Sequence, residues 1–337
     1  MKAKGPAMKV LITGGNGHLG RHLVRQLHDA GHAVRTSVRD ASDPNKTRGL
    51  SDLTGIEIVS GDVRDEAAMQ AAMSGIDVLI HSAAVYDISD RRRAAEIVSS
   101  SVDGASAVFA AAREAGVAHI VMTSSVVTLP LRLKTEAPAN ETMWNKDLGV
   151  PYIEAKTRGE QLAWAEADAH GMSLATILPG AFAGPGFDRP TPTVAFIKSI
   201  KQGAVAVAAP DMTYPYCDVR DIARAHLLAA EQRATGRFIC TNTPPPTVRE
   251  IAQAMAEIDP RVRKPLFTIP NSLLPMLSPL ERIAMRLQGA ETNVSPEMAR
   301  TLSRGQFKLS TDRAKSELGW MPEISMAQSL ADTMAEF

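Results

Sequence analysis

Net charge is what this chain of 337 residues lacks: 37 Lys and Arg balance 37 Asp and Glu. A chain without a positive surplus is not built to hold nucleic acid by neutralising phosphates. Cysteine is scarce as well. Cys217 and Cys240 cannot form a disulfide framework, and they fit a reducing, cytoplasmic compartment. No run of 18 or more apolar residues occurs, so no membrane span is expected. The opening MKAKGPAMKVLITGG has no apolar region of signal-peptide length. Met8 is read as the natural start, with residues 1–7 a tag remnant or frayed extension. Internal repeats, heptads and low-complexity tracts are missing too. What is present is ordinary globular composition, 45% apolar and 22% charged, in a chain long enough for two domains or one elaborate one.

Strand-like runs fall at Val10–Thr13, Ala33–Val38, Ile56–Ser60, Val78–His81, His119–Thr123 and Leu174–Leu178. Helical spacing fills 18–30, 65–73, 92–115 and 152–170. Short apolar strands alternating with helices predict an α/β fold, a doubly wound parallel sheet of Rossmann type. After residue 180 the alternation fails, and Pro179, Gly180, Gly184, Pro185, Gly186, Pro190 and Pro192 predict a loop region. A helix at 219–232 and a strand at 236–241 return to the sheet. Further helices are expected at 247–258, 279–288, 296–304 and 325–335. The expected division is a dinucleotide-binding domain over 8–180, with 216–242 returning to it, and a smaller, mostly helical C-terminal substrate lobe over 181–215 and 243–335.

The turn after the first strand reads Thr13-Gly14-Gly15-Asn16-Gly17-His18-Leu19-Gly20. Gly14, Gly17 and Gly20 have GxxGxxG spacing. A tight turn needs a residue tolerant of positive φ, and a bare backbone lets a pyrophosphate approach the helix N-terminus. Gly20 is expected to let the helix lie close to the sheet. Strand, glycine turn and helix together predict a dinucleotide site that includes His18 and Leu19.

The end of the second strand selects the dinucleotide. NAD enzymes place an acid there for the ribose 2′-hydroxyl. Here Arg39 stands there instead, and a guanidinium can take a 2′-phosphate bidentately. Asp40 comes one place later and is expected to point away, while Lys46 adds a second positive charge. The expected cofactor is therefore NADP(H). Asp62 and Val63 after the third strand, Ser82, Ala83 and Ala84 after the fourth, and Pro179 after the sixth complete the predicted cofactor site, at strand ends where such sheets bind ligands.

Tyr152 and Lys156 form Tyr-x-x-x-Lys at the start of a predicted helix, so they share a face. Lowering a Tyr from pH 10 to about 7 takes roughly 4 kcal/mol, which a nearby ammonium and an oxidised nicotinamide can supply. Ser124 and Ser125 end the fifth strand. Their side chains alternate, so one of them is expected to hold the substrate oxygen.

In this order the motifs TGGNGHLG, TSSV and YIEAK resemble the extended short-chain dehydrogenase/reductase family, the NAD-dependent epimerase/dehydratase superfamily. Leu178-Pro179-Gly180 with Gly184-Pro185, Asp218-Val219-Arg220-Asp221-Ile222-Ala223, and Leu309-Ser310-Thr311 running into Glu317-Leu318-Gly319-Trp320 extend the likeness over nearly all of 8–335. The nearest likeness within it is to the dihydroflavonol-4-reductase-like branch, whose VRD matches Val38-Arg39-Asp40 and whose following lysine matches Lys46. Thr191-Pro192-Thr193 also resembles hopanoid-associated, epimerase-like members. The resemblance implies Ser125, Tyr152 and Lys156 as the catalytic residues, and a homodimer through helices 92–115 and 152–170.

Departures narrow the substrate. The dehydratases carry Asp-Glu where Ser124-Ser125 stands, and Arg189, Lys198 and Lys201 make no evident diphosphate clamp. No metal is expected. His18 with His22, and His28 with His32, have i, i+4 spacing, but H-E-x-x-H is incomplete and the first pair is expected to be exposed. No G-x-S-x-G elbow marks a serine hydrolase. Arg91-Arg92-Arg93 reads as a solvated helix start. The Leu- and Met-rich 271–289 is lobe core or an apolar lid. The reading is an NADPH-dependent reductase of a ketone or aldehyde, reversible as an alcohol dehydrogenase, on an apolar or aromatic small molecule. The alternatives are a nucleotide-sugar epimerase or dehydratase, and a non-catalytic NADP sensor.

Overall fold

The structure is a computed structural model that describes residues 6–83, 94–276 and 296–337. Ala84, the Arg91-Arg92-Arg93 run, the helix expected at 279–288 and most of 271–289 lie outside the described residues.

The N-terminal half alternates as predicted: β1 (Lys9–Thr13), α1 (His18–Asp29), β2 (Ala33–Val38), a short α2 (Pro44–Thr47), β3 (Glu57–Ser60), α3 (Glu66–Ala72), β4 (Val78–His81), α4 (Ala94–Glu114), β5 (His119–Thr123), α5 (Pro151–His170) and β6 (Ser173–Pro179). β1 shows why. Its side chains alternate between two cores, Val10 and Ile12 on one face and Leu11 on the other. A strand sandwiched between helices must be apolar on both faces, and β4, Val-Leu-Ile-His, is buried throughout. α1 places Leu19, Leu23, Val24 and Leu27 on one stripe toward the sheet.

The remaining elements are β7 (Ala181–Ala183), α6 (Pro192–Lys201), β8 (Ala208–Pro210), β9 (Tyr216–Asp218), α7 (Val219–Glu231), β10 (Gly236–Cys240), α8 (Val248–Ile258), β11 (Phe267–Ile269), α9 (Pro296–Leu302) and α10 (Met326–Met334). The main sheet has seven parallel strands in the order β10-β6-β5-β4-β1-β2-β3. Strand order reverses between β1 and β4, which opens a crevice at their carboxyl ends. α7 lies under β4, β5 and β6, and β10 pairs with β6.

The loop region expected from Pro179 to Pro192 needs correction. It holds β7, and Pro192 starts α6. The Thr191 hydroxyl accepts from the Val194 amide at 3.3 Å, and a proline in the first turn has no amide to leave unpaired. α6, α8 and α10 enclose a separate core of Val194, Ile197, Ile251, Met255 and Leu330. Ala314, Leu318 and Trp320 pack with α1 and α7 beside the sheet, where the Trp320 indole donates to the Asp221 carbonyl at 2.8 Å.

Candidate functional site

The glycine loop is tighter than its spacing implies. Gly14 has φ +74°, a left-handed conformation that favours glycine. Its amide donates to the Ser37 carbonyl at 3.1 Å, and the Gly17 amide donates to the Gly14 carbonyl at 3.0 Å. Gly15, which the spacing rule passes over, is as constrained as any: a Cβ there would stand 1.9 Å from the Thr36 hydroxyl. At Gly20 a Cβ would meet the Gly14 carbonyl at 2.1 Å, so this glycine lets α1 close on the loop itself, a correction to its expected contact with the sheet. At Gly17 the nearest atom is at 3.3 Å, so its bareness is not demanded by packing to the same degree. α1 begins with no side-chain cap and no acid in its first turn. Its first amides are therefore available to an anion. Leu19 is buried in the core, which leaves only its backbone to face such a group.

Around the loop, Arg39 and Asp40 are exposed just past β2. Asp40 turns back to accept from the amide and hydroxyl of Ser42, and Arg39 makes no ion pair among the described residues. Lys46 lies on α2, near enough to Asp40 to favour its charged form. Asp62 is engaged differently from the expectation of an open adenine acceptor. Arg64 grips both its oxygens, at 3.0 and 2.7 Å, and holds the carboxyl down at about 2. Val63 packs toward α4. The Ser82 hydroxyl donates to the Thr13 carbonyl at 2.7 Å, and Ala83 lies against Gly14. Pro179 is buried at the end of β6 opposite Cys240.

His18 and His22 are not the exposed imidazoles expected. Both direct Nε2 at the Pro185 carbonyl, at 3.1 and 2.9 Å, and so tie α1 to the segment after β7. A carbonyl can only accept, so each ring donates. Burial pushes His18 down to about 4 and His22 down as well.

The proton-transfer candidates gather at the next corner. Ser124 and Ser125 point opposite ways, as alternation requires. Ser124 is buried and donates to Glu160 at 2.6 Å. Ser125 caps the 3-10 turn Val126–Thr128 by accepting from the Val127 amide at 3.3 Å. α5 packs against that turn, and Tyr152 clusters with Val127, Leu148 and Met298. Pro151 opens α5, which places Tyr152 and Lys156 one turn apart from the start. Lys156 donates to the Thr123 carbonyl at 3.3 Å, and burial lowers its ammonium to about 8.

Sequence reasoning missed two buried neighbours. Glu160 accepts from Ser124, Thr176 and Arg237. His226 on α7 donates through Nδ1 to the Ile222 carbonyl and accepts at Nε2 from the Thr123 hydroxyl, both at 2.8 Å. The signal for Glu160 was there: it continues the four-residue spacing of Tyr152 and Lys156 toward the sheet, where a lone carboxylate needs a partner.

The family model described as the NAD dependent epimerase/dehydratase family matches residues 10–239. The chain is similar to tetraketide alpha-pyrone reductase 2 of Arabidopsis thaliana, 32% identical over 249 residues, 69% of this chain and 77% of that protein. It is similar to sterol demethylase protein B of Methylococcus capsulatus, 29% identical over 334 residues and 98% of both chains. It is also similar to dihydroflavonol 4-reductase of Zea mays, 34% identical over 189 residues, 52% of this chain and 53% of that one. These likenesses bear out the resemblance read from the motifs, and the family match spans the glycine loop, the β5 end and α5. The chain is an extended short-chain dehydrogenase/reductase of the NAD dependent epimerase/dehydratase family.

Proposed function

We propose that the protein is an NADPH-dependent reductase of a ketone or aldehyde, and that Ser125, Tyr152 and Lys156 are its catalytic residues. The observation that carries this reading is the corner where Lys156, bound to the Thr123 carbonyl, meets the 3-10 turn capped by Ser125, beside Tyr152 on α5. The glycine loop fits a dinucleotide, since Gly15 and Gly20 leave no room for side chains and α1 opens uncapped. The uncapped first amides of α1, from His18 to Gly20, would hold the pyrophosphate, Arg39 and Lys46 the 2′-phosphate, and Lys156 the ribose.

A bound reduced nicotinamide supplies hydride to the carbonyl carbon. The Tyr152 hydroxyl gives its proton to the carbonyl oxygen, and the Ser125 hydroxyl donates a hydrogen bond to that same oxygen. The Lys156 ammonium stabilises the resulting phenolate. In the oxidation direction the phenolate takes the proton back.

The substrate in this reading is apolar or aromatic. The names of the relatives speak of a pyrone, a sterol and a dihydroflavonol, and Val127, Leu148 and Met298 flank Tyr152 with apolar surface. The segments 181–215 and 243–335 are the substrate lobe in this reading, except for 314–320, which packs beside the sheet. A homodimer through α4 and α5 belongs to the same reading, with a groove of about 410 Å³ between Val98, Val102, Glu154 and Arg158 as the surface in question. The test is a panel of hydrophobic ketones and aldehydes followed by NADPH absorbance. Oxidation of NADPH by at least one, with weaker use of NADH, supports the reading. Interconversion of UDP- or dTDP-sugars with no net absorbance change would replace it with epimerase chemistry.

A further inference from the structure

Glu160 lies one turn beyond Lys156 on α5, and the proposed reaction leaves it without a task. Its carboxylate is fully buried. It accepts from Ser124 Oγ at 2.6 Å, from Thr176 Oγ1 at 2.7 Å, and from Arg237 Nε and Nη2 at 2.8 and 3.2 Å. Arg237 is buried as well, and it donates onward to Thr128 Oγ1 at 2.9 Å and to the carbonyls of Glu141 and Met143 at 2.8 and 2.7 Å. Its guanidinium lies 3.8 Å over the Trp144 ring. The pair therefore grips both flanks of Ser125: Glu160 holds Ser124, and Arg237 holds Thr128 at the far end of the 3-10 turn. A buried ion pair is a weak reason for stability, because apolar residues of similar volume often serve as well. Its placement calls for another reason.

We propose that Glu160 is a positioning residue for the Ser125–Tyr152–Lys156 corner, an inference that rests on the reductase reading: its buried charge keeps Lys156 an ammonium ion, and its grip on Ser124 and Arg237 aims the Ser125 hydroxyl. Lys156 has Tyr152 and Glu160 one turn before and after it on its own helix, His81 at the end of β4 near it, and the Thr123 carbonyl of β5 as its acceptor with His226 of α7 behind. α4 contributes the uncharged Ser101, bonded to the Ala155 carbonyl. Both histidines are neutral, held at about 4 by burial. Among the described residues, Glu160 is the carboxylate that opposes the effect of burial on Lys156. Without it the ammonium gives up its proton at lower pH.

The test uses the full chain, reductively methylated with ¹³C, and follows the Lys156 dimethylamino signal by NMR with no cofactor present. Loss of that signal in Lys156→Arg assigns it. The expected result for Glu160→Gln is a Lys156 titration midpoint below that of the parent. In turnover assays kcat falls on the order of 10²-fold, the size of a misplaced catalytic group. KM for the carbonyl changes little, and the alkaline limb of the kcat profile moves to lower pH. A purely structural role would lower kcat at every pH and leave both midpoints in place, and that result would overturn the proposal. Glu160→Gln leaves Arg237 unpaired, so Glu160→Met with Arg237→Met, which buries no charge, is measured beside it and should show the same lowered midpoint. Failure of both to fold would also overturn the proposal, by making Glu160 a folding residue. The reductase reading fails separately, if Tyr152→Phe turns over like the parent, and the cofactor-free titration still judges Glu160.

Discussion

Lys156 donates its ammonium proton to the carbonyl of Thr123 at 3.3 Å, and the hydroxyl of the same Thr123 donates to His226 at 2.8 Å. Because His226 Nδ1 faces the Ile222 carbonyl, that nitrogen carries the ring proton and Nε2 accepts. One residue at the end of β5 thus ties the amine of α5 to an imidazole of α7 on the other side of the sheet. The amine is held under the strand end, where the proposed chemistry needs it, and its solvation is correspondingly reduced.

Tyr152→Phe removes one hydroxyl and leaves the packing with Val127 and Met298. The proton must then come from water, so kcat for carbonyl reduction should fall about 10²–10⁴-fold with thermal unfolding nearly unchanged. Stopped-flow NADPH oxidation beside calorimetry checks both, and near-normal turnover by the folded variant would end the mechanism.

Arg39→Ala should weaken NADPH binding by roughly 10–150-fold, the equivalent of a charge-assisted contact of about 1.5–3 kcal/mol. NADH binding should change little. Calorimetric titration with both cofactors decides, and adding Lys46→Ala should widen the difference. Equal losses would remove Arg39 from the 2′-phosphate.

Gly15→Ala and Gly17→Ala should separate packing from binding. The first drives a methyl to 1.9 Å from the Thr36 hydroxyl, and overpacking of this kind costs about 1–3 kcal/mol. The second meets the Gly14 carbonyl only at 3.3 Å, so it should cost less stability than the first and lose more dinucleotide affinity. Denaturant unfolding and cofactor titration on the two proteins should rank them in opposite orders.

Lys156→Met should destroy catalysis and raise stability near neutral pH. Burial lowers the folded-state ammonium to about 8, below its ordinary value of 10.5. Between those values the unfolded chain binds the proton and the folded one does not, so the parent gains stability as pH rises through that window. The variant lacks this gain. Its advantage in Tm, roughly 1.4 °C for each kcal/mol in a protein of this size, should shrink from pH 8 to 10.5.

Acid should destabilise the fold through its buried histidines. Burial pushes His18, His81, His119 and His226 down to about 4 from 6.5. Below 6.5 the unfolded chain takes up protons that the folded one refuses, so stability falls as pH drops from 6.5 toward 4. His226→Gln should flatten that slope in a plot of Tm against pH, and an unchanged slope would exclude His226 as a contributor.

The order of strands and helices, the glycine turn and the pairing of Tyr152 with Lys156 were legible in the sequence because each depends on local period: two for a strand, 3.6 for a helix, three between glycines. Alternation likewise required Ser124 and Ser125 to face opposite ways. Pro192 was misread because a proline opens a helix or breaks one, and only the capping hydroxyl beside it says which. What the tertiary structure alone decided lies between residues far apart in the chain. Ser124 meets Glu160 across 36 residues, Arg237 meets it across 77, and His18 reaches Pro185 across 167. Local period carries no information about such pairs. They are fixed by which strands lie side by side and by the requirement that every polar group buried between them find a partner.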